Sequence, residues 1–161
     1  MYGFVPYNIS PIQQGIQFGH GVVEYGILYG DTPEYKKWSK VDKTFIILNG
    51  GTTNYGRENN YEYIGSLNQI MESLRDFGVR FASFNEPDLG DQLTAVVFLV
   101  DDRVWDSERF PDYSGAMYAN GRTSTPDTLE YSSWLMTISN DREEAKDLIN
   151  LRNFLRKYRL A

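Results

Sequence analysis

Val79–Val100, VRFASFNEPDLGDQLTAVVFLV, is the stretch that decides the fold class. Val79 to Phe84 reads as a strand and stops at Asn85-Glu86-Pro87-Asp88-Leu89-Gly90, a dense cluster of turn residues. Leu93 to Val100 is apolar almost without a break, which predicts a strand at the centre of a sheet. Upstream, Ile64, Leu67, Ile70, Met71, Leu74 and Phe77 recur at helical spacing, with Gly78 closing the helix. Before them Thr44-Phe45-Ile46-Ile47-Leu48 is a short, β-branched run ending at Asn49-Gly50-Gly51, which predicts a buried strand and a turn. Residues 52–60 read as loop.

The N-terminal residues 2–9 read as a short aromatic strand, with Pro6 placing it at an edge or an irregularity. Ser10-Pro11 is a helix start, Ser as cap and Pro at the first helical position. Ile12, Ile16, Val23 and Ile27 then follow helical spacing with Gly19 in register, predicting an amphipathic helix that ends near Gly30. Gly15, Gly19 and Gly26 each cost it about 1 kcal/mol relative to Ala, which points to a close approach by another backbone or a ligand. The order β-α-β-α-β-β predicts an α/β fold, a mixed sheet covered by helices.

Beyond residue 100 the pattern changes. Residues 101–128 are rich in Asp, Ser, Gly, Tyr and Thr and read as a long insertion, and Leu129 to Ser139 fits either a strand or a helix. Asn140, with Glu143 three residues on, resembles a capping box opening a last helix. The organisation expected is a single domain over 1–161, with a core at 1–100, an insertion at 101–139 and a C-terminal helix at 140–161.

Composition narrows the function classes. The chain has 161 residues, 41% of them hydrophobic, and 16 Lys and Arg against 22 Asp and Glu give a net charge of −6. That balance opposes bulk DNA binding, which rests on neutralising many phosphates. With no Cys and a single His, His20, there is no thiolate chemistry and no Cys- or multi-His metal site, so no cofactor is expected. The start MYGFVPYNIS lacks the features of a signal peptide, and Ala95 to Val100 is far too short to cross a bilayer. A cytoplasmic protein without a membrane partner is the expectation.

Three groups of residues could carry chemistry. Gln13, Gln17, His20 and Glu24 share one face of the first helix, where two amides, an imidazole and a carboxylate could recognise a polar ligand. The same residues suit a solvated face carrying a hydrogen-bonded His. Asn49-Gly50-Gly51-Thr52-Thr53 follows a strand end, where exposed amides and hydroxyls could cradle a phosphate. It lacks the Walker spacing and Lys, and equally suits a plain loop. Glu86, Asp88 and Asp91 could include a general base or hold a hard cation, or simply solvate a turn, and Thr94 could offer its hydroxyl to the same cleft. Tyr113, Tyr118 and Tyr131 could stack on bases or pack an outer core. The basic cluster Arg152, Arg156, Lys157 and Arg159 is most simply a helix C-terminus favoured by its dipole.

Ser10-Pro11-Ile12-Gln13-Gln14-Gly15-Ile16-Gln17-Phe18-Gly19-His20-Gly21 resembles the first helix of the archaeal and eukaryotic type of peptidyl-tRNA hydrolase. The motif of that family runs roughly Lys-Gly-Lys-Ile-Ala-Ala-Gln-Cys-Ser-His-Ala, and Gln17 and His20 match its Gln and His. Trp38 before the second strand and GVRFASFNEPDLGDQLTAVVF fit the order of the family's elements over about residues 1–100. Gln13 stands where the family has its catalytic Lys, and Glu86-Pro87-Asp88 replaces its Asp-Ala-Gly turn. Acidic relatives of this divergent kind look like bacteriophage proteins.

The resemblance implies a peptidyl-tRNA-hydrolase-like scaffold. On it, a non-catalytic or weakly catalytic protein would bind a nucleotide-like or tRNA-derived ligand through Gln13, Gln17, His20, Gly50, Gly51, Thr52 and Thr94. In a phage it would act in the host cytoplasm as an anti-defence protein that sequesters a nucleotide immune signal. A divergent peptidyl-tRNA hydrolase would instead use His20, Glu86, Asp88 and Thr94 for ester hydrolysis. A third possibility is a protein–protein interaction module built on the aromatic insertion and terminal helix. A homo-oligomer is possible in each case.

Overall fold

The computed structural model describes residues 1–52, 65–114 and 129–161, together with the backbone of 56–58 and 61–63. They form two compact units, Met1–Val100 with Arg156–Ala161, and Asp101–Leu155. Tyr118 and Thr53 lie outside the described residues.

The first unit is a mixed four-stranded sheet with helices. β1 (Tyr2–Val5), β2 (Ile46–Asn49), β5 (Phe81–Glu86) and β6 (Gln92–Phe98) stand in the order β2-β1-β6-β5, and a separate hairpin joins β3 (Gly56–Glu58) and β4 (Tyr61–Tyr63). β1 runs parallel to β2 and antiparallel to β6, which is antiparallel to β5. The apolar run of β6 is accordingly central, with Thr94 to Phe98 fully buried. β1 is central too, so Pro6 marks the end of a strand rather than a sheet edge. One edge strand is β5 and the other is β2. Its outer side is covered where Leu160 bridges Leu48, Asn49 N donates to Arg159 O at 2.9 Å and Ala161 N donates to Ile47 O at 3.0 Å.

α1 (Pro11–Tyr29) covers one face of this sheet. Its start follows the expected chemistry: Gln13 N donates to Ser10 Oγ at 3.2 Å, Ser10 N donates to Gln13 Oε1 at 3.0 Å, and Pro11 opens the helix. Two glycines let helix and sheet approach closely. A Cβ on Gly3 would lie 2.5 Å from the Phe18 ring, and one on Gly21 would lie 2.5 Å from Val97. On the other face Phe4 stacks with Phe98 at 5.9 Å and meets Tyr158 edge-on at 4.8 Å. There α3 (Ser66–Asp76) buries Leu67, Ile70 and Leu74.

The expected amphipathicity of α1 is reversed. Ile12, Ile16, Val23 and Ile27 face solvent, while the buried positions are Gln17, Phe18, Gly21 and Tyr25. Aromatic rings and a close-fitting glycine make the better contact with the sheet, and Gln17 is buried because its amide has partners there. Sequence periodicity also passed over α2 (Pro33–Lys37) and the turn of π-helix at Trp38–Asp42, which bury Trp38 with its indole N–H donating to Thr44 O at 3.1 Å.

The second unit holds α4 (Asp102–Trp105), α5 (Leu129–Ile138) and α6 (Arg142–Leu155). The ambiguous 129–139 segment is thus helical. Its Tyr131, Leu135 and Ile138 pack with Ala145, bordered by Phe110, Tyr113, Trp134, Leu148 and Ile149. α6 is capped one residue later than expected, by Asp141, whose Oδ1 accepts from Glu143 N at 2.8 Å and Glu144 N at 3.1 Å. Arg152 is no solvated dipole partner: it is buried, donating to Val104 O at 3.1 Å, to Arg103 O and to Asp112 Oδ1 at 2.9 Å. Among the described residues no helix is long and apolar enough to cross a membrane.

Candidate functional site

The register of β5 against β6 creates the site. Phe84 pairs with Ala95 and Asn85 pairs with Leu93, so Thr94 is the extra residue of a β-bulge. A bulge turns the strand locally and re-aims a side chain. Here it sends the Thr94 hydroxyl to α1, where it donates to Gln17 Oε1 at 2.6 Å. The other end of the same amide, Nε2, donates to Glu86 Oε2 at 2.5 Å. Only one orientation of Gln17 serves both partners, because a carboxylate oxygen can only accept.

One turn further along α1, His20 lies over Phe84, their ring centroids 4.4 Å apart and their planes 13° apart. Phe84 and Glu86 share a strand face, as residues two apart must. Three residues of helix, rising about 4.5 Å, therefore match two residues of strand, rising about 6.6 Å. Gln17 meets Glu86 and His20 meets Phe84. Gln17 and Thr94 are buried, Glu86 is half-buried and His20 is exposed. The result is a solvent-facing imidazole on an aromatic shelf beside a carboxylate whose partner is a neutral amide rather than a cation.

Other expected residues have different roles. Gln13 spends its side-chain oxygen in the capping box of α1. Asp88 is exposed, and its N–H donates to Glu86 Oε1 at 3.4 Å. Asp91 sits at φ +58°, its carbonyl accepting from Asn85 Nδ2 at 2.8 Å. Among the described residues no three His, Asp or Glu side chains gather as a metal ion would require.

The Gly50-Gly51-Thr52 loop is also built differently from a phosphate cradle. Gly50 N donates to Val5 O at 2.8 Å, Gly51 N to Asn49 Oδ1 at 2.8 Å and Thr52 N to Ser66 Oγ at 2.8 Å. All three amides are thus used internally. The glycines answer to packing: a Cβ on Gly50 would lie 2.7 Å from Leu67, and one on Gly51, at φ +79°, would lie 1.9 Å from Ser66 Oγ.

Phe84 is the site residue that sequence reasoning missed. Its position two residues before Glu86 on an alternating strand was the available signal. Comparison with protein-family models, with curated proteins and with solved structures gives no match. The chemistry of the site rests on its geometry.

Proposed function

We propose that this chain is a non-catalytic binding protein for a nucleotide-like ligand, recognised through its base, on a scaffold resembling peptidyl-tRNA hydrolase. The observation that carries the reading is the Gln17 amide fixed between Thr94 and Glu86 beside the His20–Phe84 stack. A heteroaromatic base can stack on the exposed imidazole face and donate an N–H to the free lone pairs of the Glu86 carboxylate. Gln17 holds that carboxylate in place without neutralising it. With the Gly50–Thr52 amides occupied, the phosphates are left to solvent, which agrees with the chain's acidic balance. Such a protein sequesters its ligand in stoichiometric amounts, the mode expected of an anti-defence protein that removes a nucleotide signal.

Calorimetric titration with a panel of nucleosides and their 5′-monophosphates tests this. One equivalent should bind, with similar affinity for a nucleoside and its phosphate, and His20→Ala should weaken binding about tenfold or more. No binding across the panel, or binding that requires phosphate and ignores His20→Ala, overturns it.

A second reading, ester hydrolysis of peptidyl-tRNA, draws on the same amide: Gln17 would orient Glu86 as the general base for water. Multiple turnover of a defined peptidyl-tRNA, abolished by Glu86→Gln, would put this reading first.

A further inference from the structure

α1 carries a second apolar face. Ile12, Ile16, Val23 and Ile27 are 78, 51, 60 and 72% exposed. At ~100° per residue they lie on the side of the helix opposite Gln17, Phe18, Gly21 and Tyr25, which pack on the sheet. Gly15 and Gly19 border them, and a Cβ on either would meet nothing within 4 Å. Gly21 and Gly26 each admit a close neighbour within the chain, whereas Gly15 and Gly19 weaken the helix without serving any contact in it. Besides Tyr25 and Tyr29, Glu24 and His20 are the only titratable side chains among these 19 residues. A helix apolar on two opposite sides is the kind that is buried on both.

We propose that this face is a homodimer interface, occupied by α1 of a second copy running antiparallel across a two-fold axis between Gly19 and His20. The spacing selects this occupant. Ile12 and Ile27 are equidistant from that point, as are Ile16 and Val23. A two-fold contact therefore sets Ile12 of one protomer against Ile27 of its partner and Ile16 against Val23, in the self-complementary manner of an isologous interface. Gly15 and Gly19 let the two backbones approach, and antiparallel helices place opposite dipole ends together. The face lacks the charges by which a different partner would be steered. With the glycine backbone included, two such faces bury on the order of 1,000 Å² in total, about 500 Å² from each protomer, which reaches the lower bound for a specific interface.

Sedimentation equilibrium of the intact chain, 18.6 kDa, should give twice that mass at micromolar concentration. Val23→Glu changes an exposed position, so its circular dichroism should match the parent while its dissociation constant rises about a hundredfold or more. Because the chain has no Cys, the pairing direction can be read directly. Ile16→Cys and Val23→Cys proteins should form a disulfide when mixed and oxidised, and neither should cross-link with itself. A monomer at every concentration, a dimer indifferent to Val23→Glu, or self-cross-linking of Ile16→Cys overturns the proposal. His20 flanks this axis, so nucleoside binding is titrated on the Val23→Glu protein as well as the parent: binding without dimerisation overturns only the dimer, and dimerisation without binding by either protein overturns only the ligand reading.

Discussion

His20 and Phe84 lie stacked with ring centroids 4.4 Å apart, tying the middle of α1 to the last residues of β5. This stack supports the exposed ring of the candidate site. Replacing it separates support from recognition. His20→Phe keeps the stack and should leave the urea midpoint nearly unchanged, whereas His20→Ala should lower stability by about 0.5–1.5 kcal/mol. Nucleoside affinity should fall with His20→Ala and survive His20→Phe to the extent that the ring face, not its nitrogens, makes the contact.

Gln17 joins Thr94, whose hydroxyl has a longer second acceptor in Phe84 O at 3.3 Å, to the half-buried Glu86. Gln17→Leu leaves the buried Thr94 hydroxyl without its 2.6 Å acceptor and removes the amide from Glu86. A loss of about 2–3 kcal/mol is expected in denaturant titration. Adding Thr94→Val should cost less than its own single substitution, since the hydroxyl left with only its long bond to Phe84 O goes with it.

Gly51 and Gly78 both have positive φ, +79° and +67°, but only Gly51 is crowded. Gly78→Ala should cost about 1 kcal/mol from backbone strain alone. Gly51→Ala should cost more than twice that, because its Cβ displaces Ser66 Oγ, which accepts from Thr52 N and donates to Gly50 O. Thermal melts of the two variants in parallel decide it.

Arg152 is 2% exposed and supplies three hydrogen bonds within the second unit. Arg152→Ala should destabilise that unit by about 3–5 kcal/mol, the usual cost of breaking a buried charge network from one side. Arg152→Lys should not restore it, since an ammonium cannot reproduce the fork that meets Val104 O, Arg103 O and Asp112 together. Hydrogen exchange of α5 and α6 would report the loss locally.

Glu144 gives the second unit a pH dependence. Its hydrogen bonds from Arg103 and then Ser139 hold its carboxyl below the ordinary carboxylate range. A carboxyl depressed in the folded state contributes stability that is complete above its unfolded pKa, near 4.5, and fades as pH falls below it. Melting temperature should therefore drop more for the parent than for Glu144→Gln between pH 7 and pH 3.5. Equal drops would assign the acid sensitivity to other groups.

Sequence patterning revealed much of the sheet and little of the site's detail. The apolar run 93–100, the turn at 85–90 and the Ser10-Pro11 cap were legible because each rests on local backbone chemistry. The burial of α1 was not, because Ile12, Ile16, Val23 and Ile27 outscore Gln17 and Gly21 on any hydrophobicity scale. Fit against β5 and β6 decided which face turned inward. Gln17, His20, Glu86 and Thr94 were all named as candidates, yet their juxtaposition depends on a bulge at Thr94 that no residue type announces. Gly50 and Gly51 carried a true signal with another meaning: their missing Cβ atoms admit Leu67 and Ser66.

The last six residues, Arg156–Ala161, belong to the first unit, where Leu160 seals the outer edge of β2. Synthesis proceeds from the N-terminus at about 5–20 residues per second, so β2 emerges many seconds before its cover exists. Until it does, the sheet keeps an open flank, and a chain stopped near residue 155 would present β2 as an unpaired, adhesive edge.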